Sequence, residues 1–567
     1  MSRLRFIRLG FLLTGLIIMG QLFRIQVLSH GFYSALAEGQ HEIFRHLFPE
    51  RGRIYARDGM SGGQEFLLAT NRTLNLLYAE PYRIKDPASV VAALAPIVNL
   101  DPSDLSAKLA DRQERYHVLA HKLDDETRAK VESLKIAGLG FSTEDFRYYP
   151  ESDAGAQLLG FVGRSDAGQS GRYGIESAFD QDLAGTQGYL ESQKDSFGRL
   201  ITVGNQTIKP ARDGSDLLLT VDRTVQYVAC RKLAEAVRAH QASRGSLVIL
   251  DPKTGAVIAM CNAPAFDPNE YGKVGDIEVY NNTAVSNAYE PGSVFKTITM
   301  AAGIDTGKIT PDTTFDDPGE VKIGPFTIRN ADLKAHGVVT MTEVLAQSLN
   351  TGIDFVVAKV GPSVFLDYVR DFGFGRKTGI TLRSEGVGDV SQLERKGDIW
   401  SATGAFGQGV TATVLQLAAA YGAIANGGLL MKPYVVEEIR RPDGQVVETK
   451  PQSVRQVVTA RTAGLVTGML VAVVERGEGH RAAVPGYWIG GKTGTAQIPN
   501  ANGPGYEVGP TIGTFVGFGP VDDPKFVMAV RMDRPKDVQY AESSAAPLFG
   551  DVAKFLMEYY RIPPTRK

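Results

Sequence analysis

Apolar residues gather first in one uncharged run, residues 9–23, and thereafter thin into alternating and helical spacings. The run is followed by Arg24 and then Ile25-Gln26-Val27-Leu28. An arginine side chain can carry its head group toward the interface, which extends the apolar stretch to about 20 residues, enough to span a bilayer. Arg3, Arg5 and Arg8 before it predict a cytoplasmic N-terminus and an external remainder. The pattern Ala35-Leu36-Ala37 resembles a signal-peptidase site, but it lies beyond Arg24 and too far from the apolar run for ordinary cleavage. No further segment is apolar enough to cross, so a single pass is expected, with 1–8 cytoplasmic and 9–28 the anchor.

Beyond the anchor, residues 31–215 are mixed in character, and 105–134 read as one charged helical stretch with apolar residues at intervals. Near 213 the texture changes. Leu217-Leu218-Leu219-Thr220-Val221 reads as a strand, and 224–240 as a helix with Val225, Val228, Leu233 and Val237 at helical spacing. Residues 246–250 and 256–260 flank a turn and form a hairpin. A mostly helical middle, 290–425, precedes further strands near 489–496 and 512–532. Helices segregated from a largely antiparallel sheet predict an α+β architecture. The expected division is an irregular α/β pedestal over 40–212 and a second domain over 213–560.

With 567 residues, more than one domain is expected, and 43% hydrophobic with 22% charged residues describes a globular chain. A net charge of −2 gives no general attraction to nucleic acid. The two cysteines, Cys230 and Cys261, form no metal-binding spacing. Two buried thiols are the plainer expectation and a single disulfide the alternative. The histidines form no HExxH or HxH pattern, and neither a metal nor a cofactor is expected.

Three short motifs carry candidate chemistry. In Pro291-Gly292-Ser293-Val294-Phe295-Lys296, Ser293 opens a helix-like run, and Lys296 three residues on lies on the same face. A serine hydroxyl needs a neighbouring base, and lysine serves once desolvation or a nearby cation lowers its pKa. Alone, S-x-x-K reads equally as a capping serine with a solvated lysine. About 55 residues later comes Ser348-Leu349-Asn350, a hydroxyl and an amide at a helix end. Then Lys492-Thr493-Gly494-Thr495 follows Gly490-Gly491, reading as a strand whose glycines let the backbone approach a ligand closely. Gly486, Gly491, Lys492 and Thr493 also fit the P-loop pattern formally. That reading fails because a P-loop opens a helix and this stretch is β-branched.

In this order and spacing, the three motifs make the S-x-x-K, S-x-N, K-T-G set of penicillin-recognising serine enzymes. The resemblance extends further. Arg51-Gly52-Arg53-Ile54-Tyr55-Ala56-Arg57-Asp58-Gly59 resembles the opening of class B penicillin-binding proteins, with Ala56 where that family usually has Asp. Tyr173-Gly174-Ile175-Glu176, Phe179-Asp180, Leu183-Ala184-Gly185, Phe406-Gly407-Gln408-Gly409, Gln416-Leu417 and Ala425-Asn426-Gly427-Gly428 are similar to other stretches of it. Gly490 to Gln497 and Thr514 to Pro520 resemble the division-specific branch, although Leu349 stands where that branch commonly has Ser.

The resemblance implies a β-lactamase-like transpeptidase domain and an acyl-enzyme on Ser293 that cross-links peptidoglycan stem peptides during septal wall synthesis. Lys296 would be the base and Ser348 the proton relay. Asn350, Lys492, Thr493, Gly494 and Thr495 would bind the D-Ala-D-Ala donor, which β-lactams mimic. It also implies partners at the division site, a glycosyltransferase among them, reached through anchor and pedestal. An elongation-type transpeptidase is the runner-up. A class D-like β-lactamase or sensor, or an inactive division scaffold, fits the pedestal or the intact motifs less well.

Overall fold

The computed structural model describes residues 14–16, 18–21, 24, 42–59, 62–112, 114–165, 168–193, 206–500, 503 and 505–566. The expected anchor, 9–28, therefore falls mostly outside the described residues. Among those described, no helix is long and apolar enough to cross a membrane.

The chain divides into two units, the first made of residues 1–52 and 184–214. Its described part is a three-stranded antiparallel sheet in which Gly188–Gln193 lies between Glu42–Leu47 and Gln206–Lys209.

The second unit, residues 53–183 and 215–567, holds two larger sheets. One has seven strands and draws on distant parts of the sequence. Ile54–Arg57 pairs in parallel with β1 (Asp216–Asp222), which pairs antiparallel with Val436–Arg440. On the other side of Ile54–Arg57 lies Glu65–Ala79, which pairs with His117–Leu123 and Leu139–Tyr148. The single helix expected over 105–134 is instead a helix (Pro102–Ala110), the strand His117–Leu123 and a second helix (Asp125–Ser133). Each helix opens on its own cap, with Asp101 accepting from the Ser103 amide and Asp124 from the Thr127 amide. Caps and ladder hydrogen bonds divide a stretch that looks continuous by spacing alone.

The motifs resembling the family's opening build this junction. The Asp58 carboxylate accepts from Thr224 Oγ1 at 2.8 Å, and the Gly59 amide donates to Asp222 at 3.0 Å. The Tyr559 hydroxyl lies 2.8 Å from Asp58 and 3.0 Å from Asp222. Arg57 pairs with Glu437 and Glu438. Glu176 is fully buried and accepts from Arg147 Nε at 2.6 Å. These residues hold elements together, and none reaches the S-x-x-K serine.

The other sheet organises the half that carries the three motifs. Helix α1 (Arg223–Ala239) is capped by Asp222 and precedes the hairpin β2 (Arg244–Leu250) and β3 (Val257–Ala263). Then come α2 (Lys296–Asp305), α3 (Met341–Ala346), α4 (Asn350–Val360), α5 (Val414–Ala425) and α6 (Ala460–Arg476). The chain closes with β4 (Gly490–Pro499), β5 (Tyr506–Gly519), β6 (Phe526–Asp533) and α7 (Ala545–Tyr559). The sheet order is β3-β2-β6-β5-β4, antiparallel throughout.

Alternation along the strands separates two cores. Leu247, Ile249, Phe515, Met528 and Val530 pack with α1 and α7, while Val248, Leu250, Val516, Phe518 and Ala529 face the helical middle with α2 and α5. The α+β reading, with an antiparallel sheet between helical layers, holds. The expectation of two buried thiols does not. Helix α1 packs on β3, which brings the Cys230 and Cys261 Cα atoms to 5.1 Å, and the two are joined as a disulfide.

Candidate active site

Ser293 lies in a short 3-10 turn, Gly292–Phe295, which runs directly into α2, so Lys296 opens the α-helix. Three close approaches fix this turn. Gly292 sits at φ +60°, and a Cβ there would meet the Thr495 carbonyl at 3.0 Å. A Cβ on Gly407 would lie 2.2 Å from the Gly292 carbonyl oxygen, and the Gly292 amide donates to Gly407 at 3.2 Å. A Cβ on Gly494 would meet the Pro291 carbonyl at 2.6 Å. Glycine is thus required where the turn, the Phe406-Gly407 loop and β4 converge.

Lys296 is wholly buried, and its Nζ donates to the Ser348 carbonyl at 2.5 Å and to Ser348 Oγ at 3.2 Å. Ser348 stands between α3 and α4 at φ +59°, a left-handed conformation rare for serine. This backbone twist accompanies a carbonyl and a hydroxyl that both receive the ammonium of one lysine. Two residues on, Asn350 opens α4 and donates from Nδ2 to the Arg329 carbonyl at 2.8 Å.

On β4, Lys492 is also fully buried; its Nζ donates to Thr493 Oγ1 at 3.1 Å and lies 3.6 Å from Glu478. Strand alternation predicts Lys492 on the face opposite Thr493, yet the flexible stem brings its head group to the Thr493 hydroxyl. Thr493 Oγ1 in turn donates to Glu478 at 3.3 Å, and Thr495 Oγ1 accepts from the Ala541 amide at 3.0 Å.

The electrostatics follow from burial. Loss of water, reinforced by the Lys492 ammonium, holds Lys296 well below the ordinary lysine range. Lys492 is lowered by burial as well, and Glu478 opposes that shift. A lysine so placed gives up its proton far more readily than one in water and can serve as a base beside a serine hydroxyl.

The structure thus brings Lys296 to Ser348 and Lys492 to Thr493, while Gly494 and Thr495 lie against the Ser293 turn. Beside them opens a cleft of about 520 Å³ lined by Asn350, Arg329, Glu290, Trp400 and Tyr506 among others. Glu290 is nearly buried there, accepting from the Gly409 amide at 2.9 Å and the Tyr506 hydroxyl at 3.1 Å. Sequence reasoning named Asn350, Phe406, Gln408 and Gly409 of the cleft lining but not Glu478, Glu290, Trp400 or Tyr506. Glu478 follows α6 in an unpatterned Arg-Gly-Glu-Gly stretch, and Trp400 sits on a helix with no chemical motif, so only the fold brings them in.

Comparison with known proteins agrees with this geometry. The penicillin-binding protein dimerisation domain matches residues 46–219, and the penicillin-binding protein transpeptidase domain matches 245–554. Stage V sporulation protein D of Bacillus subtilis is 32% identical across 100% of this chain and 87% of its own length. The penicillin-binding protein PbpB of Mycolicibacterium smegmatis is 35% identical over 85% of this chain and 75% of its own. The crystal structure of penicillin-binding protein 3 from Mycobacterium tuberculosis in complex with ampicillin superposes with a TM-score of 0.71. It is 30% identical, and the match covers 92% of this chain and 98% of that one. Pedestal, transpeptidase domain and motif geometry agree: the chain belongs to the class B penicillin-binding proteins, the peptidoglycan D,D-transpeptidases of the penicillin-binding serine-enzyme family.

Proposed function

We propose that this transpeptidase cross-links stem peptides through an acyl-enzyme on Ser293, and that it does so at the division septum. Ser293 Oγ attacks the carbonyl of the penultimate D-Ala while its proton passes to Lys296 Nζ. The peptide C–N bond breaks, Ser348 hands a proton to the departing D-Ala amine, and the Ser293 ester remains. An amine of a neighbouring stem then attacks that ester, forming the cross-link and restoring the serine hydroxyl. Backbone N–H groups of Ser293 and Thr495 receive the oxyanion. Asn350 holds the donor amide, and Lys492, Thr493, Gly494 and Thr495 hold the terminal carboxylate. β-Lactams enter as mimics of the same donor.

The observation that carries this reading is the buried Lys296 ammonium on the Ser348 hydroxyl, three residues from Ser293 and held at low pKa by burial and by Lys492. Residues 9–28 serve as the anchor, with the catalytic domain (213–560) external and the pedestal (40–212) toward division partners, a glycosyltransferase among them. The basic flank of the anchor and the septal-type motifs support this placement.

Intact-mass analysis after incubation with a labelled penicillin tests the chemistry. One adduct is expected, mapping to Ser293 and lost in Ser293→Ala with the fold intact. An adduct on any other residue refutes the mechanism. For the placement, the protein should stay in the membrane pellet through carbonate washing, and depletion should block constriction. Round cells that still divide would move it to the elongation branch.

A further inference from the structure

Helix α4 begins with the Asn350 of the S-x-N motif and carries, one turn on, a carboxylate that the transpeptidation steps do not use. Asp354 is 5% exposed, and among the described residues neither of its carboxylate oxygens has a hydrogen-bond donor. A buried carboxylate without donors is costly, because it has lost water and gained nothing in return. The two hydroxyls that share its cavity are committed elsewhere. Thr351 Oγ1 donates to Asp317 at 2.6 Å, and Ser401 Oγ to the Asp398 carbonyl at 2.9 Å.

Asp354 lines a cavity of about 550 Å³, within the roughly 300–1,000 Å³ of ordinary small-molecule sites. Its walls are apolar: Phe315, Val321, Ile323, Phe355, Val357 and Pro362. The Phe315 and Phe355 rings are 5.0 Å apart, centre to centre, and form one side. None of the motif residues Ser293, Lys296, Ser348, Asn350 or Lys492 lines it. Lys322 and Asp398 also line the cavity, but both are exposed, so Asp354 is its one buried charged group among the described residues. Among the described residues, no group of His, Cys, Asp and Glu could hold a metal ion, so a buried acid set against apolar walls calls for an organic cation.

We infer that this cavity is a ligand site distinct from the acylation groove, for a monocationic amine with an apolar body, its ammonium seated on Asp354. The ammonium would supply the donors that Asp354 lacks, and the hydrocarbon would cover the aromatic and aliphatic walls. Because Asp354 shares α4 with Asn350, occupancy presses on an element of the groove without entering it.

The test uses the full chain in detergent at about pH 9, where Asp354 is ionised and an alkylamine is still charged. Two probes of one shape, cyclohexylmethylamine and the uncharged cyclohexylmethanol, are titrated by calorimetry and ligand-observed NMR. The amine should bind saturably, about tenfold or more tighter than the alcohol, as expected for one charge-assisted pair. Asp354→Asn should bring the amine down to the level of the alcohol. Ala358→Trp, an exposed position at the cavity wall, should weaken both probes. Equal binding of the two probes, absence of saturable amine binding, or amine affinity unchanged in either variant overturns the inference. Should Asp354→Asn fail to fold, the amine–alcohol comparison on the unaltered protein decides alone.

Discussion

Two regions of this chain are legible as motifs, and they use charge in opposite ways. At the pedestal junction, buried and half-buried charges are matched: Glu176 receives Arg147, and Arg57 lies between Glu437 and Glu438. In the groove, two fully buried lysines are held near one another, and each is pushed toward its neutral form. Matched charges hold elements in register, whereas mismatched ones keep a base ready to take a proton. A recognisable motif therefore does not announce chemistry by itself; what separates the two cases is whether burial is compensated.

The comparison can be broken most severely at Lys296. Lys296→Arg keeps the positive charge but removes the titrating base, because guanidinium stays protonated. Penicillin acylation should fall by about 10³–10⁴-fold with little change in melting temperature. In the unaltered protein the acylation rate should rise with pH through a pKa well below that of free lysine, because only neutral Lys296 accepts the proton. The Arg variant should lack that limb; near-normal acylation by it would place the base elsewhere.

Next comes the reverse experiment on the matched side. Glu176→Ala leaves Arg147 buried and unpaired, and urea unfolding should show a loss of about 3–5 kcal/mol. Acylation per folded molecule should be unchanged, and a selective loss of activity would erase the distinction between the regions. Tyr559→Phe removes one hydroxyl between two carboxylates and should cost about 1–2 kcal/mol, read by the same unfolding assay.

A last effect, visible only as pH is changed, concerns Asp354, the uncompensated acid that does not belong to the motifs. Burial raises its pKa to about 8, against the opposing pull of the Lys296 ammonium. A raised carboxyl keeps its proton in the fold after the unfolded chain has released its own. Its contribution to stability is therefore full at low pH and falls as pH rises toward that value. Asparagine does not titrate, so Asp354→Asn should gain up to about 4 kcal/mol relative to the parent between about pH 5 and about pH 8. Parallel stability curves would show that the acid is solvated.

Much of this was readable in the sequence, for local reasons. β1, α1 and the β2–β3 hairpin follow from short-range alternation and helical spacing, and motif order delivered Ser293, Lys296, Ser348 and Lys492. What escaped depends on distance. His117–Leu123 becomes a strand because Glu65–Ala79 offers it a ladder, which no local window contains. Cys230 and Cys261 meet because a helix folds back on a sheet. Glu478 and Asp354 act through which buried groups they face, and their own neighbours in sequence say nothing of that.

The seven-stranded sheet has a consequence for the order in which the polypeptide can mature. Ile54–Arg57 needs β1 beside it, and β1 needs Val436–Arg440, so a strand synthesised early waits for one made hundreds of residues later. Domains emerging from the ribosome ordinarily fold from the N-terminus onward, and non-local pairings are slow to form. The early strands can pair among themselves, through Glu65–Ala79, but the other edge of Ile54–Arg57 stays open until β1 is made, and β1 in turn waits for Val436–Arg440. Such edges invite association with other chains. A fragment ending near residue 212 would carry the open edge of Ile54–Arg57 permanently, and it should aggregate where the full-length chain stays dispersed.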